Sequence, residues 1–419
     1  MVAALMASTI FPSFSPKIPN QPKHPSPLTI ICSVSAKNAE TGGGDLRVIF
    51  AAGGTGGHIY PAVAIADELK TRKPKTQILF IGNPNGMERT AVPSAGYEFA
   101  AVDAPRLTRP LFSPQNLFLL PYRLAKSLIQ SWHLLHRFKP QIVVGTGGYV
   151  SFPVCFVAAA LKGVKMVIQE QNSVPGIANW VLSLFADIVF VAFDLTRECF
   201  PRKDCIVVCG NPVRLSLSKR VSKVVARMHF FPRLVGEMGE TDAVVMLVLG
   251  GSLGANAINI ALLNLYHQML MQRNNLFIIW QTGMEAFAEV ESLVKSHSRL
   301  VLTPFLHSMD LAYAAADLVV SRAGAMTCYE ILATGKPSIL IPSTNVAEGH
   351  QLKNASLLAD LAGSRVITED ELDSETLETA IEDILGNEIL MAKMSERALK
   401  AAKPNASAEI VEQVISLVN

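Results

Sequence analysis

The chain contains the same local pattern twice: a short apolar run, a glycine-rich turn and a segment with helical periodicity. The first copy is RVIFAAGGTGGHIYP, from Arg47 to Pro61, and it continues into the helix-like AVAIADELK. The second copy, about two hundred residues later, runs from Val244 to Leu265 and reads VVMLVLGGSLGANAINIALLNL. Apolar runs of this length are typical of buried parallel strands. Two copies therefore predict two stacked α/β domains with a cleft between them.

A glycine turn between a strand and a helix is a geometry that handles phosphate groups. Glycine lets the backbone approach an anion, and the first N–H groups of the helix supply donors at its positive dipole end. A dinucleotide-binding fold also needs G-x-G-x-x-G and an acid after its second strand, whereas QILFIG (Gln77–Gly82) is followed by Asn83. The P-loop pattern G-x-x-x-x-G-K-[ST] is absent. The sequence therefore argues against NAD binding and against a P-loop.

Length and composition agree with two domains built on buried sheets. The chain of 419 residues exceeds what one hydrophobic core usually supports, and 50% of it is hydrophobic while only 17% is charged. The six cysteines show no C-x-x-C and no zinc spacing, which argues against disulfides and metal sites and fits a reducing compartment. The longest apolar run, Phe152–Leu161, is too short for a transmembrane helix.

The first 44 residues differ in composition from the rest of the chain. Ser, Thr and Pro are abundant, Lys17, Lys23 and Lys37 supply positive charge, and the first acid is Glu40. This bias is typical of an organelle transit peptide, and IICSVSA (Ile30–Ala36) fits a plastid processing region. We expect residues 1–44 to be a disordered transit peptide that addresses the plastid, with the mitochondrion as second choice and a plain disordered tail as the alternative.

A long acid-free interval lies in the first half of the chain. No Asp or Glu occurs between Asp103 and Glu170. The bases in this interval are Arg106, Arg109, Arg123, Lys126, Arg137, Lys139, Lys162 and Lys165. Within it, Leu111–Lys139 mixes large apolar residues with bases, so it can lie on an anionic membrane or face a lipid pyrophosphate. A normally packed amphipathic helix with a solvated basic face is the alternative.

Polar turns follow three apolar runs of the first half. They are Thr55–His58, Thr146–Tyr149 and Glu170–Asn172. Ligands of doubly wound sheets bind outside the carboxyl ends of the strands, so these turns are expected to share one crevice.

Six motifs in order give the chain a family resemblance. They are AGGTGGHIYP, GTGGYVSFP, EQN, GNPVR, GGSLGA and SRAGAMTCYE. Together they resemble MurG, the bacterial GT-B family that moves N-acetylglucosamine from a UDP donor onto a lipid-linked muramyl-pentapeptide. The resemblance covers roughly Leu46–Asn419 and implies two Rossmann-like doubly wound parallel-sheet domains facing a cleft.

The resemblance also implies which domain binds which substrate. Residues 45–213 would form the acceptor and membrane-facing domain, and residues 214–401 the UDP-sugar domain, with residues 402–419 packing back on the first. The implied reaction is inverting, metal-independent transfer from UDP-GlcNAc to the 4-hydroxyl of a polyprenyl-pyrophosphate-linked N-acetylmuramyl-pentapeptide. No cofactor and no nucleic-acid partner are expected. Together with the expected transit peptide, the resemblance implies a location in the plastid, on the stroma side of the inner envelope or thylakoid membrane.

The donor site must hold a pyrophosphate whose negative charge grows as UDP leaves. Since no D-x-D at a strand end offers a metal, backbone N–H groups, helix dipoles and cationic side chains must do so. The residues placed for this are Ser252, which can also serve as a helix N-cap, Arg214, Ala325, Met326 and Thr327. The resemblance further assigns the ribose to Glu330, uracil to the backbone of Leu306 and sugar hydroxyls to Gln351.

The acceptor side of the resemblance comprises Thr55, Gly56, Gly57, Tyr149 and Asn172. The acceptor hydroxyl must lose a proton, so a base is expected in the cleft. His58 is the candidate because imidazole titrates near neutral pH, and Glu170 is the rival. His58 could instead bind phosphate or merely pack.

Two departures from the family pattern leave roles open. Gln169 stands where a histidine commonly precedes E-Q-N, and STNVA (Ser343–Ala347) differs from the more charged bacterial pattern.

Two other functions are compatible with these motifs. One is a plastid glycolipid synthase that uses UDP-galactose and diacylglycerol. The other is a catalytically silent scaffold on a transferase fold, against which the presence of His58, Arg214, Glu330 and Gln351 argues.

Overall fold

The computed structural model describes residues 45–106, 119–214, 217, 221–232, 243–251, 254–344 and 349–419. The expected transit peptide lies outside these residues, as does the start of the Leu111–Lys139 segment. The described residues form two parallel sheets, each with helices on both faces.

The strands follow the apolar runs of the sequence. The first sheet contains β1 (Arg47–Ala52), β2 (Gln77–Gly82), β3 (Glu98–Ala101), β4 (Ile142–Gly147), β5 (Lys165–Glu170), β6 (Ile188–Val191) and β7 (Ile206–Val208). The second contains β8 (Val244–Leu249), β9 (Leu276–Gln281), β10 (Leu300–Thr303), β11 (Leu318–Ser321), β12 (Ser338–Leu340) and β13 (Arg365–Val366).

Helices connect the strands and cover both sheets. Those of the first half are α1 (Gly56–Arg72), α2 (Glu88–Ser94), α3 (Leu120–Phe138), α4 (Ser151–Phe156), which continues into a π-helical turn (Val157–Leu161), α5 (Ile177–Leu182) and α6 (Asp194–Glu198). The later helices are α7 (Lys223–Phe230), α8 (Asn256–Leu263), α9 (Tyr266–Gln272), α10 (Phe287–Leu293), α11 (Met309–Ala315), α12 (Ala325–Thr334), α13 (His350–Ala362), α14 (Ser374–Leu385), α15 (Glu388–Ala401) and α16 (Ala406–Ser416). None of the described helices is both long and apolar enough to cross a membrane.

Both sheets have the same doubly wound topology. The orders are β3-β2-β1-β4-β5-β6-β7 and β10-β9-β8-β11-β12-β13, and every neighbouring pair is parallel. The direction of winding reverses between β1 and β4 and between β8 and β11. Such switch points are where ligands bind in this class of sheet.

Continuous apolar strands are explained by cores on both faces. In β8, Val245, Leu247 and Leu249 belong to one core, while Met246 and Val248 belong to the other. Successive side chains of a strand point to opposite faces, so a strand covered on both sides must be apolar throughout.

The chain crosses between the two halves at two adjacent places. The first crossing leads from β7 towards Arg214, and the second follows α15, after which Ile410 and Val414 of α16 join the core of the first sheet. The crossings touch each other, because Lys403 Nζ donates to the carbonyl of Val208 at 3.3 Å. A Cβ on Gly210 would lie 2.8 Å from the Cβ of Lys403.

The carboxyl ends of the two sheets face each other. Ser173, after β5, donates its N–H to Oδ1 of Asn354 in α13 at 3.2 Å. Tyr329 of α12 donates its hydroxyl to the carbonyl of Ala192, after β6, at 2.5 Å. The predicted fold, two Rossmann-like doubly wound domains facing a cleft, is confirmed.

Candidate functional site

The first glycine turn, after β1, is occupied by a buried carboxylate. Glu88 is fully buried, and its Oε2 accepts from the N–H of Gly54 at 3.2 Å while its Oε1 accepts from the N–H of Asn83 at 2.8 Å. A Cβ on Gly53 would lie 2.5 Å from Oε1 of Glu88. The Glu88 carboxylate therefore already binds an N–H group of the turn that could otherwise bind a phosphate. The sequence pattern suggested a phosphate-handling turn and gave no sign of this partner.

Thr55, Gly56 and Gly57 lead from this turn into α1. Thr55 is the exposed N-cap residue, and its carbonyl accepts from the N–H of His58 at 3.1 Å. Gly56 lies against the ring of Tyr60, since a Cβ there would be 2.9 Å from a ring carbon.

His58 is half-buried in the first turn of α1, and the end of β4 holds it in place. Thr146 donates its hydroxyl to the His58 carbonyl at 2.8 Å. The ring atom Nδ1 lies 3.0 Å from the carbonyl oxygen of Thr146 and 2.9 Å from Oε1 of Gln171. A Cβ on Gly147 would lie 2.6 Å from Nδ1, so the ring packs directly against this glycine.

Glu170 is buried at the end of β5, and both its carboxylate oxygens are bound. Oε1 accepts from the N–H and the side-chain amide of Asn172 at 3.0 and 3.1 Å. Oε2 accepts from the N–H of Gly176 at 3.1 Å and from Nδ2 of Asn179 at 2.8 Å. Four donors on one carboxylate shape the loop after β5. Because these four donors already occupy the carboxylate of Glu170, they oppose its predicted role as the base that accepts a proton from the acceptor.

The two remaining acceptor-side residues lie at the same edge of the first sheet. Asn172 is half-buried, and its carbonyl accepts from the hydroxyl of Thr196 at 3.0 Å. Tyr149 is 44% exposed, and the guanidinium of Arg106 lies 5.7 Å from its ring centroid.

Arg214 links the first helix to the second half. Its guanidinium carbon lies 3.7 Å from the ring centroid of Tyr60, two residues after His58. Its Nε is buried and has no hydrogen-bond partner in the described part of the chain. Burial raises the pKa of the Glu330 carboxyl above its usual range, and the positive charge of Arg214 and a 3.1 Å hydrogen bond from Tyr313 oppose this rise. Arg214 therefore lies over Tyr60 and is close enough to Glu330 for its charge to act on that carboxyl.

Ala325, Met326 and Thr327 form the first turn of α12, directly after β11. Gly324 is the N-cap residue, and it has no side chain that could cap this helix end. The first N–H groups of α12 thus point from the switch point of the second sheet towards the cleft, with Glu330 on the following turn.

Gln281 ties the second glycine turn to Leu306. It donates from Nε2 to the carbonyl of Gly251 at 2.8 Å and accepts with Oε1 from the N–H of Leu306 at 3.0 Å. The N–H of Leu306 is therefore already taken up, whereas its carbonyl has no partner among the described residues. Ser252, predicted to bind the pyrophosphate, lies outside the described residues.

Gln351 is half-buried in the first turn of α13. Its Oε1 accepts from the N–H of Ser343 at 2.9 Å. Beside Ser343 a cavity of about 550 Å³ also touches Gly254 and Glu289. The STNVA segment is described only for Ser343 and Thr344.

An ion pair lies at the wall of this cavity. Arg322 pairs with Glu369, whose Oε2 also accepts from the hydroxyl of Thr344 at 2.7 Å. Burial opposes ionisation of Glu369, but the bonds from Thr344 and Arg322 hold its pKa below its usual range. In the described part of the chain, no group of three His, Cys, Asp or Glu side chains is arranged to hold a metal ion.

Comparison with known sequences covers both halves. The profile of the glycosyltransferase family 28 N-terminal domain matches residues 48–191, and that of the family 28 C-terminal domain matches residues 245–413. A protein of Christiangramia forsetii is 41% identical over 374 residues, which are 89% of this chain and 98% of that protein. A protein of Salinibacter ruber is 40% identical over 373 residues, 89% of this chain and 97% of the relative. Both are named UDP-N-acetylglucosamine–N-acetylmuramyl-(pentapeptide) pyrophosphoryl-undecaprenol N-acetylglucosamine transferase.

The chain belongs to the MurG family of glycosyltransferases.

Solved structures agree with this assignment. The crystal structure of Acinetobacter baumannii MurG has a TM-score of 0.67 and 27% identity, and the match covers 89% of this chain and all of that one. The Staphylococcus aureus MnaA–UDP structure has a TM-score of 0.64 at 14% identity, which reflects a shared fold. The resemblance to MurG inferred from the six motifs is confirmed.

The MurG motifs converge on one cleft through a few contacts that the sequence did not reveal. His58 and Tyr60 share the first turns of α1, and Arg214 lies over Tyr60 while its charge acts on Glu330. Gln171 was visible only as the middle letter of E-Q-N, and Tyr60 as part of GGHIYP. Glu88 lies outside the six motifs.

Gln169, where the MurG pattern commonly has histidine, is fully buried. Its Nε2 donates to Oδ1 of Asn211 at 2.8 Å. A completely buried side chain does not contact an acceptor sugar, so residue 169 belongs to the supporting structure of the cleft in this chain.

Proposed function

We propose that this chain transfers N-acetylglucosamine from UDP-N-acetylglucosamine to a polyprenyl-pyrophosphate-linked N-acetylmuramyl-pentapeptide. The observation that carries the proposal is the 41% identity over 374 residues to a relative whose name specifies this donor and this acceptor. The facing carboxyl edges of two doubly wound sheets supply the cleft in which a donor on one side meets an acceptor on the other.

The donor lies on the second half in this proposal. Glu330 accepts hydrogen bonds from the ribose hydroxyls, the Leu306 carbonyl accepts from the uracil ring, and Gln351 binds the sugar hydroxyls. The diphosphate lies at the start of α12 near Ala325–Thr327, with Ser252 of the second glycine turn. Arg214 supplies positive charge there, and its buried Nε is one donor without a partner among the described residues.

Chemistry takes place between His58 and the donor sugar. The imidazole removes the proton from the 4-hydroxyl of the acceptor as the oxygen attacks the anomeric carbon. The bond from that carbon to the diphosphate breaks, and UDP leaves with the electron pair, so the configuration inverts. The positive charge of Arg214 and the helix dipole of α12 stabilise the charge that develops on UDP. Glu170 shapes the loop that carries Asn172, because its carboxylate is already bound by four donors.

A direct assay with defined substrates tests this function. Purified protein is incubated with UDP-GlcNAc and a short-chain lipid-linked muramyl-pentapeptide, and in parallel with UDP-galactose and diacylglycerol, and products are identified by mass spectrometry. We expect one N-acetylhexosamine to be added to the muramyl lipid only. Galactosyl-diacylglycerol as product, or no product with UDP-GlcNAc unbound in calorimetry, contradicts the proposal.

We also propose that the outer face of α3 associates with an anionic membrane. Tyr122, Ile129 and Trp132 are exposed on this helix beside Arg123 and Lys126. A face that combines apolar and basic side chains can insert into the interface while its charges bind anionic lipid.

Matched substitutions test this surface. Ile129 is 60% exposed and Leu293, on α10 of the second half, is 61% exposed. We expect Ile129→Glu to reduce flotation with anionic liposomes, Leu293→Glu to leave it unchanged, and high salt to weaken binding of the wild type. Equal flotation of both variants argues against the proposal.

We further propose that the chain acts in the plastid, on the stroma side of the inner envelope or thylakoid membrane. The support is the composition of residues 1–44, which is rich in Ser, Thr, Pro and Lys before Glu40. A fluorescent protein fused after this segment should accumulate in plastids, and a mitochondrial or diffuse cytosolic signal contradicts the proposal.

A further inference from the structure

Gln171 occupies the position next to His58 that decides which ring nitrogen carries the proton. The His58 Nδ1 is within hydrogen-bond distance of two oxygens, the Thr146 carbonyl at 3.0 Å and Oε1 of Gln171 at 2.9 Å. A carbonyl oxygen only accepts, so Nδ1 must be the protonated nitrogen. The other ring nitrogen, Nε2, then keeps its lone pair, and it has no partner in the described part of the chain.

The side-chain amide of Gln171 can point only one way. Its Nε2 lies 2.7 Å from the carbonyl oxygen of Thr146 and 3.1 Å from that of Gln169. If the amide were reversed, its oxygen would face both of these acceptors. The amide oxygen is therefore the atom that faces His58.

A second glutamine and an asparagine hold this arrangement from behind. Asn211 donates from Nδ2 to the carbonyl of Gln171 at 2.9 Å, so its Oδ1 is free to accept from Nε2 of Gln169 at 2.8 Å. Gln169 consequently presents Oε1 to Nε2 of Gln171. These three side chains are almost completely buried, so water does not compete for their bonds.

We propose that Gln171 is a positioning residue that fixes His58 as the Nδ1–H tautomer and leaves Nε2 as the proton acceptor. The inference rests on the proposed function, in which His58 is the base. A neutral amide orients the imidazole without adding charge, unlike the carboxylate partner of a Ser-His-Asp triad. Residue 169, where the family commonly has histidine, supports the orientation of this amide.

The charged side chains on the elements that pack around His58 have other partners. Glu88 of α2 accepts from Gly54 and Asn83, and Glu170 of β5 is bound by the four donors of the following loop. Arg214 lies over Tyr60 of α1. In the described part of the chain, the amide of Gln171 is therefore the side chain that orients the ring.

Two substitutions at one position test the inference kinetically. Gln171→Leu removes the acceptor, and we expect kcat to fall about 10²-fold, within the range for general-base catalysis, with donor KM nearly unchanged. Gln171→Glu keeps the oxygen that faces His58, replaces the amide donor to the Thr146 carbonyl with a second oxygen, and adds a negative charge that favours imidazolium. We expect it to keep more activity than Gln171→Leu and to move the acidic limb of the kcat/KM profile to higher pH. Gln141→Leu is the matched control: the amide oxygen of Gln141 accepts from the backbone N–H of Arg47 and not from an imidazole, and it lies at the opposite edge of the sheet.

Nitrogen-15 NMR of histidine-labelled protein provides a readout besides activity. We expect the neutral His58 ring of the wild type to carry its proton on Nδ1, with the signal assigned through His58→Gln. Gln171→Leu should increase the Nε2–H form. A wild-type ring protonated on Nε2, or unchanged tautomer and unchanged kcat in Gln171→Leu, overturns the inference. Absence of transfer by a wild type that shows the Nδ1–H form contradicts the proposed function and supports the positioning role.

Discussion

The two glycine turns share a sequence pattern but have different neighbours. In the first turn, Glu88 accepts from the N–H of Gly54, and a Cβ on Gly53 would meet its carboxylate at 2.5 Å. In the second turn, a Cβ on Gly250 would meet the Thr282 carbonyl at 2.9 Å, and Gln281 donates to the carbonyl of Gly251. Among the described residues of the second turn, none has a carboxylate partner.

The different partners indicate that the first glycine turn has a structural role and that the second is the candidate for binding a ligand. A buried carboxylate on the first turn repels a second anion, so this turn fixes the start of α1 and with it His58. The described residues of the second turn have neutral hydrogen-bond partners, and β8 before this turn pairs with β11, which leads into α12, so we expect a diphosphate here. A repeated strand–turn–helix pattern therefore predicts a shared shape, and the residues packed behind the turn decide its function.

The largest effect is expected from removing the base beside the first turn. In the proposed reaction His58→Ala should lower kcat about 10³-fold with the affinity for UDP-GlcNAc unchanged, because the imidazole acts on the acceptor. Turnover and calorimetric donor binding measure the two effects separately. His267→Ala is the control, since His267 is exposed on α9, which leads into the amino end of β9. Loss of donor binding in His58→Ala would place His58 on the donor side.

A glycine that packs against the first turn should also tolerate substitution less well than a glycine of the second turn. Gly148, in the turn after β4, has φ +85°, and a Cβ there would lie 2.1 Å from the carbonyl oxygen of Gly53 in the first turn, so Gly148→Ala should lower the free energy of unfolding by about 3 kcal/mol or more. Gly251 has φ +76° and open space around its Cβ position, so Gly251→Ala should cost about 1 kcal/mol. Chemical denaturation measures both values. Similar losses for both variants would show that the packing of the first turn is not special.

Donor binding should depend on the Glu330 carboxylate, and its pH dependence should reflect the burial of this side chain. Glu330→Ala removes a charged acceptor, and donor KM should rise roughly tenfold to thirtyfold, or about 2 kcal/mol, with kcat less affected. Because burial raises the pKa of Glu330, the wild-type carboxylate becomes protonated as the pH falls through a range above that of an exposed glutamate. Affinity for UDP should therefore weaken over this range in the wild type, and Glu330→Ala should lack this dependence. Identical pH profiles exclude the ribose role.

The smallest effect is expected where α1 touches the donor side. Tyr60→Leu removes the ring under Arg214 and should weaken UDP binding about fivefold, close to 1 kcal/mol, whereas Tyr60→Phe should keep it. Phe138→Leu is the control, because it removes the ring 4.9 Å from the guanidinium of Arg47 away from the cleft. Calorimetric titration with UDP measures the difference. Equal UDP affinities of Tyr60→Leu and the wild type would show that α1 does not contribute to donor binding.

Much of the fold could be predicted because its signals are local. Strands such as β1 and β8 are apolar along their whole length, since both faces of each sheet are covered. The switch points follow from the glycine turns, and Thr55, Thr146 and Glu170 come to one edge because parallel strands end there together. The sequence pattern therefore predicted the edge of the sheet at which these candidate residues come together.

The partners of the site residues could not be predicted, because they come from distant parts of the chain. Glu88 reaches Gly54 from α2, and nothing in the sequence around it marks a buried acid. Gln281 takes up the N–H of Leu306 from a neighbouring strand. Glu170 was a reasonable rival base as a lone acid at a strand end, but the four donors on its carboxylate appear only once the loop after β5 is folded.

The adjacent crossings at Val208–Gly210 and Lys403 have a mechanical consequence. Because the two covalent connections between the halves lie side by side, the chain would have to bend at this one place if the angle between the two sheets changed. A change in that angle would move a donor bound on one half relative to an acceptor bound on the other.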